Sequence, residues 1–186
     1  MNDGALIYKQ IVDDIYPQVE EEIFNLDPPY TQLNFPDDGG VTAYFSRNMT
    51  KDDLKIVQRF LDSEKIDILN TRAFKRDEQQ FEITVGSKFK EGTREDIEFE
   101  NATFSLEFGE FTEYLNEVVL YLEQAMEFAS NQNQREMIQD YILHFKSGDV
   151  EAHKDSQRKW VKDKGPVVET NIGWVEVYVD PENKRG

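Results

Sequence analysis

KIDILNTRAFKRDEQQFEITVGSKF (65–89) decides how the chain folds. Phe81, Ile83 and Val85 alternate with Glu82 and Thr84, the period of a strand with one face buried. The stretch therefore reads as two strands, 65–76 and 79–89, joined by a tight polar turn at Arg76–Glu78. A hairpin of this kind needs further strands or a helix to cover its apolar face.

Downstream, a charged loop with one glycine runs from Lys88 to Asp96. Ile97 and Phe99 then alternate on odd numbers, whereas Phe104, Leu106 and Phe108 fall on even ones. The change of phase predicts a bulge or break near Glu100–Ala102. From 111 to 163 the period becomes helical. Leu115, Val118, Val119, Leu122 and Met126 line one helix; Met137, Ile138, Tyr141, Ile142 and Phe145 line a second. Gly148 is placed to cap the second in the left-handed conformation, and Asp149 to open a third over 150–163. Lys164-Gly165-Pro166 stops it.

Upstream, Thr50 and Asp53 have the spacing of a capping box, and Leu54, Val57, Phe60 and Leu61 make one stripe of a helix over 51–63. GVTAYFS (40–46) reads as a short strand. Residues 27–40 are a loop punctuated by three prolines and a glycine pair. Leu6, Ile7, Ile11, Ile15, Val19 and Ile23 share a helical face over 5–26, which Pro17 should kink or split. Helices, then strands, then helices, then a last strand at 167–179 predict an α+β fold. Its sheet should be mixed or antiparallel, or a partial β-barrel, flanked by helices in one domain or lobe fragment spanning 1–186.

Composition narrows the functions. Lys and Arg total 21 against 38 Asp and Glu, a formal charge of −17. That field repels phosphate backbones and argues against nucleic acid as a partner; it suits amine-bearing ligands, and it also suits plain solubility. The absence of cysteine excludes disulfides, thiolate metal sites and a Cys nucleophile. No apolar run reaches the roughly 18 residues of a membrane span, and MNDGALIYKQ lacks the pattern of a signal peptide, so a cytoplasmic protein with no membrane partner is expected. Neither G-x-S-x-G nor a phosphate-binding loop occurs. His144 and His153 form no H-E-x-x-H pair, and structural roles suit both.

The expected strand 167–179 is unusual. One face carries Val168, Ile172, Trp174 and Tyr178; the other places Glu169, Asn171 and Gly173 among Val167, Val175 and Val177. A carboxylate and an amide beside a residue without a side chain make a polar notch, where Gly173 would let another backbone approach. A carboxylate there can grip an ammonium group at about 1.5–3 kcal/mol for a charge-assisted bond. It can equally face water and pair with an ordinary Lys or Arg.

SGDVEAHKDSQRKWVKDKGPVVETNIGWVEVYVDP (147–181) resembles a distinctive block of the dipeptidyl peptidase III family, zinc-dependent exopeptidases, and GVTAYFS (40–46) and NTRAFKR (70–76) match two further blocks in order. The resemblance runs from about residue 40 onward; the first forty residues match loosely. It implies a two-lobed hydrolase that removes dipeptides from peptide N-termini, with zinc on a helical lobe and a β-barrel core in the other. It also implies a substrate extended along a barrel strand. Glu169 matches the glutamate that receives the substrate's ammonium, and Asn171 a position often occupied by Tyr.

The family's H-E-x-x-x-H zinc helix does not occur in these 186 residues. The resemblance therefore implies a segment of the barrel lobe with substrate-binding residues Glu169, Asn171 and Gly173. No catalytic residue and no metal ligand is expected in this chain, and no hydrolysis by it alone. Its expected partners are a short peptide with a free N-terminus and the remaining lobe. Two other readings stand beside it: a non-catalytic module that captures peptides or proteins on an exposed strand edge, and a purely structural acidic domain.

Overall fold

Phe81, Ile83 and Val85 point into one core, as their alternation predicts, and each is almost fully buried. They lie on β2 (Gln80–Gly86), which a computed structural model places at the centre of a four-stranded sheet in the order β1-β2-β4-β3. The other strands are β1 (Thr71–Asp77), β3 (Arg94–Phe99) and β4 (Ala102–Glu110). The structure describes residues 8–28, 34–174, 180–182 and 184. Antiparallel pairing joins β1 to β2 and β3 to β4, while β2 and β4 run parallel. Among the described residues the sheet is mixed and does not close on itself, and five α-helices accompany it. These are α1 (Tyr16–Ile23), α2 (Lys51–Glu64), α3 (Thr112–Glu127), α4 (Gln132–Ser147) and α5 (Val150–Trp160). The fold is α+β.

Two cores result. In the first, α2 lies on the sheet and buries Leu54, Val57, Phe60 and Leu61 against Ile83, Phe104 and Leu106. Phe60 stacks on Phe104 with ring centres 4.0 Å apart, and Phe99 meets Phe60 edge-on at 5.6 Å. Such pairs add about 0.5–1.5 kcal/mol beyond area burial. The capping box forms as expected. Thr50 Oγ1 accepts from the Asp53 amide at 3.1 Å, and Asp53 Oδ2 accepts from the Thr50 amide at 2.9 Å. Burial would raise the Asp53 pKa, but Lys75 at 2.8 Å and the Thr50 bonds outweigh it and hold the carboxyl below its usual value.

The second core packs α3 against α4 through Leu115, Val119, Leu122, Met137, Ile138, Tyr141, Ile142 and Phe145. Its link to the sheet is the stretch just after β2. The amides of Lys88 and Phe89 donate to the carbonyls of Phe145 and Lys146 at 2.8 and 2.9 Å. Those carbonyls belong to the last turn of α4, which has no intrahelical donors left for them. Buried Asn70 closes the junction by donating to the carbonyls of Gly86 and Gly148, each at 3.0 Å. Gly148 takes the left-handed conformation foreseen for it, φ 78°.

Several expected elements are altered, each for a local reason. The strand expected from residue 65 begins at Thr71, because Lys65 caps α2 with φ 59° and Ile68–Asn70 forms a single 3₁₀ turn. The expected strand 79–89 ends at Gly86, where the chain leaves the sheet for the helices. The phase change near Glu100–Ala102 is a break between β3 and β4, with Glu100 at φ 52°. The expected strand 40–46 contributes only a bridge from Phe45 to Ala73. Backbone bonds reach only Ala73 of β1, which donates to the Tyr44 carbonyl at 2.8 Å and accepts from the Ser46 amide at 3.2 Å; side chains extend the pairing, Ser46 Oγ accepting from the Lys75 amide at 2.9 Å and Asn48 donating to the Lys75 carbonyl at 3.0 Å.

In the expected N-terminal helix 5–26, Pro17 interrupts the bonding register. Ile11–Ile15 widens into a π-helical turn before α1 begins, since proline has no N–H to give. Ile11, Ile15 and Ile23 stay exposed, so the apolar face read there is not covered among the described residues. Residues 5–7 lie outside the described residues. The last expected strand, 167–179, is an irregular loop over 167–174, and 175–179 lie outside the described residues. Side-chain bonds and an inward tryptophan, described next, set its course in place of a ladder.

Candidate functional site

Asp149 accepts from the Glu151 amide at 2.8 Å and starts α5, which packs against α4 and ends at Trp160. Pro166 then directs the chain back along these helices. Gln134 donates to the Val168 carbonyl at 3.4 Å, and the indole N–H of Trp160 donates to Glu169 Oε1 at 2.6 Å. Trp160 itself packs against the α3–α4 core. The Glu169 carboxylate is thus held at one oxygen by a half-buried indole while the residue stays exposed. Among the described residues it forms no ion pair. Asn171, two residues on, is exposed as well.

The loop is anchored at its far end. Trp174 fits between Phe111, His144 and Phe145, with ring centres 5.9 to 6.2 Å away. The close approach read for Gly173 is made by an imidazole from α5 rather than by another backbone: a Cβ built on Gly173 would lie 2.6 Å from His153 Cε1. The structure therefore places Glu169, Asn171 and Gly173 on one loop, the first two toward solvent and the third against the helices.

His153 in turn lies beside His144, ring centres 5.0 Å apart and planes tilted by 36°. His144 is fully buried and its Nδ1 lies 2.8 Å from the Asp149 carbonyl. A carbonyl only accepts, so Nδ1 carries the proton and Nε2 is the bare nitrogen. Burial pushes the His144 pKa down to about 4, and burial lowers that of His153 too. Both rings are neutral near pH 7, which fits the structural roles expected for them. Among the described residues no three His, Asp or Glu side chains gather as metal ligands. Two imidazoles without a carboxylate, one with its Nδ1 already engaged, do not fit a zinc site. No described helix is long and apolar enough to cross a membrane.

Sequence reasoning missed Trp160 and His153 as parts of this site. One signal was present: Trp160 lies seven residues after His153, about two helical turns, on the face that meets the returning loop.

The loop presents one tethered carboxylate to solvent from a helical backing, and comparison with known proteins gives the family of the chain. The profile of peptidase family M49 matches residues 15–186, and the chain belongs to that family. It is 37% identical to dipeptidyl peptidase 3 of Dictyostelium discoideum over 175 residues, 94% of this chain and 25% of that protein. It is 34% identical to dipeptidyl peptidase 3 of Homo sapiens over 203 residues, which takes in all of this chain and 27% of that protein. The chain thus spans about a quarter of the length of the curated relatives it matches.

Proposed function

We propose that this chain is a substrate-binding segment of a zinc-dependent dipeptidyl peptidase, and that Glu169 receives the free N-terminal ammonium of a peptide. The observation that carries the reading is the Glu169 carboxylate itself, tethered at 2.6 Å by Trp160, exposed, and outside any ion pair among the described residues. A peptide α-amino group has a pKa of about 7.7–8.0 and is mostly charged at neutral pH. One fixed carboxylate then acts as a ruler. It selects a free amine and sets how many residues lie before the bond to be cut. Asn171 supplies an amide whose oxygen accepts from the same amine or whose NH₂ donates to the first peptide carbonyl. Gly173 serves from behind by leaving room for His153.

The metal that activates water in such an enzyme belongs to parts of the longer protein, in the lobe that partners this one. The segment by itself binds and orients; it does not hydrolyse. The acidic surface favours cationic peptides over nucleic acid, and a cytoplasmic setting without membrane contact suits it.

Calorimetric titration of the chain with Arg-Arg-amide and with its N-acetyl form tests the reading. The free amine is expected to bind at least about tenfold more tightly than the acetylated one, the size of a charge-assisted bond, and Glu169→Gln to abolish the difference. Equal affinities for the two ligands would reject it. The same chain is expected to release no dipeptide from a chromogenic Arg-Arg amide; release that survives purification would show that a complete active centre is present.

The competing module reading, capture on a strand edge, draws on β3, whose outer edge has no strand partner among the described residues. Glu95, Asp96 and Glu98 give that edge a negative charge, which suits only a basic strand.

A further inference from the structure

The far end of the loop that carries Glu169 is held by contacts of shape. Gly173 lies flat against the His153 imidazole, where a Cβ would come to 2.6 Å from Cε1 and 3.2 Å from Nε2. One residue on, Trp174 meets Gly86 at the end of β2, where a Cβ would lie 2.7 Å from Cη2 of the indole. Two glycines on two different elements are thus the receiving surfaces for two rings. Few hydrogen bonds assist. Among the described residues the buried His153 Nδ1, His144 Nε2 and Trp174 Nε1 have no hydrogen-bond partner. Packing seats these rings, and packing is sensitive to a single methyl group.

The His153 ring is itself backed. His144 stands 5.0 Å from it, fully buried and tied to the Asp149 carbonyl. The ring therefore has little room to retreat, and a bulkier residue at 173 would push the loop outward instead. Residue 173 is four positions from Glu169, on the same stretch of chain that Gln134 and Trp160 hold at its other end.

We infer that His153 and Gly173 form a positioning pair: the imidazole against the bare α-carbon fixes the depth at which the loop sits, and so the place of the Glu169 carboxylate. The pair rests on the amine-binding reading for its functional meaning, but its geometry is testable apart from it. His153 touches no ligand; it acts through the loop. Trp174 is the second anchor of the same segment, and its indole reports whether the segment is seated.

The experiment is a bump and a hole in the 186-residue chain. Gly173→Ala adds the methyl group, His153→Ala removes the ring it strikes, and the double variant does both. Two readouts are taken: the dissociation constant for Arg-Arg-amide by calorimetry, and the emission maximum of Trp174 in a Trp160→Phe background, where it is the only indole. Gly173→Ala is expected to weaken binding at least about tenfold and shift Trp174 emission to longer wavelength. Adding His153→Ala is expected to restore emission and to bring affinity back to that of His153→Ala alone.

A Gly173→Ala chain that matches the parent in both readouts overturns the inference. So does a double variant no better than Gly173→Ala, since the methyl group would then be striking something other than the ring. Should the parent chain bind no dipeptide, the role of Glu169 fails while the emission series still decides the pairing. Should Gly173→Ala not fold, recovery of a folded chain by His153→Ala supports the pairing, and failure to recover it overturns the pairing.

Discussion

At the scale of single residues, the histidines show how much a neighbour changes a side chain. His144 is buried with Nδ1–H committed to the Asp149 carbonyl, so a second proton must enter at Nε2, which has no acceptor among the described residues. Of the groups that face it, His153 disfavours the added charge and Asp149 favours it, and burial outweighs both. In the unfolded chain His144 titrates near 6.5; in the fold it does so at about 4. Between these values the unfolded state binds more protons, so stability falls as pH drops from about 6.5 to about 4 and is unaffected by this group above that window. The contribution at stake is about 3 kcal/mol. His144→Asn keeps a donor for the Asp149 carbonyl and cannot titrate, so its urea midpoint should vary less than the parent's across pH 4–6.5. Parallel pH curves for the two proteins would assign the acid sensitivity elsewhere. Nothing in the sequence distinguished this histidine from His153; the difference arises from depth, which spacing does not encode.

At the scale of elements, the turn of chain at Gly148 carries more than a helix end. Its φ of 78° excludes most side chains, and a Cβ there would come to 3.0 Å from Val85 Cγ1 and 3.2 Å from the Gly86 carbonyl. The same place receives Asn70, whose two bonds join the sheet end to the helix end. Gly148→Ala is expected to cost about 1–2 kcal/mol from backbone strain alone, and Asn70→Ala about 1–3 kcal/mol for two carbonyls left without their donor. Chemical denaturation measures both, and a loss below about 0.5 kcal/mol in each would show that the junction is not where the cores are coupled.

The sequence revealed the cap at Gly148, the N-cap at Asp149, the Thr50–Asp53 box and the alternation of β2, because each depends on neighbours within a turn or two. It did not reveal that β2 pairs in parallel with β4, or that residues 40–46 meet β1 through one bridge that the Ser46 and Asn48 side chains extend. Those outcomes depend on partners far along the chain. The apolar run 167–174 misled for the same reason. Val, Ile and Trp in alternation suit a strand, but Trp174 is taken into the α3–α4 core and Glu169 is drawn to Trp160.

At the scale of the whole molecule, a one-sided sheet under α2 and a three-helix layer of α3, α4 and α5 meet along the Gly86–Phe89 stretch, and the loop 165–174 lies on the helical side of that junction. The α+β class was legible beforehand; the backing of residues 169–173 by helices was not. The proposal of a binding segment within a larger enzyme starts from membership of peptidase family M49 and the quarter-length span of the relatives. Such a segment works only if Glu169 meets the amino terminus of a peptide. Amide chemical-shift mapping of the labelled chain titrated with Arg-Arg-amide examines that contact residue by residue. Shifts centred on 169–174 and on the Trp160 indole N–H are expected, and they should be lost in Glu169→Gln; shifts centred elsewhere, or unchanged in that variant, would contradict the assignment.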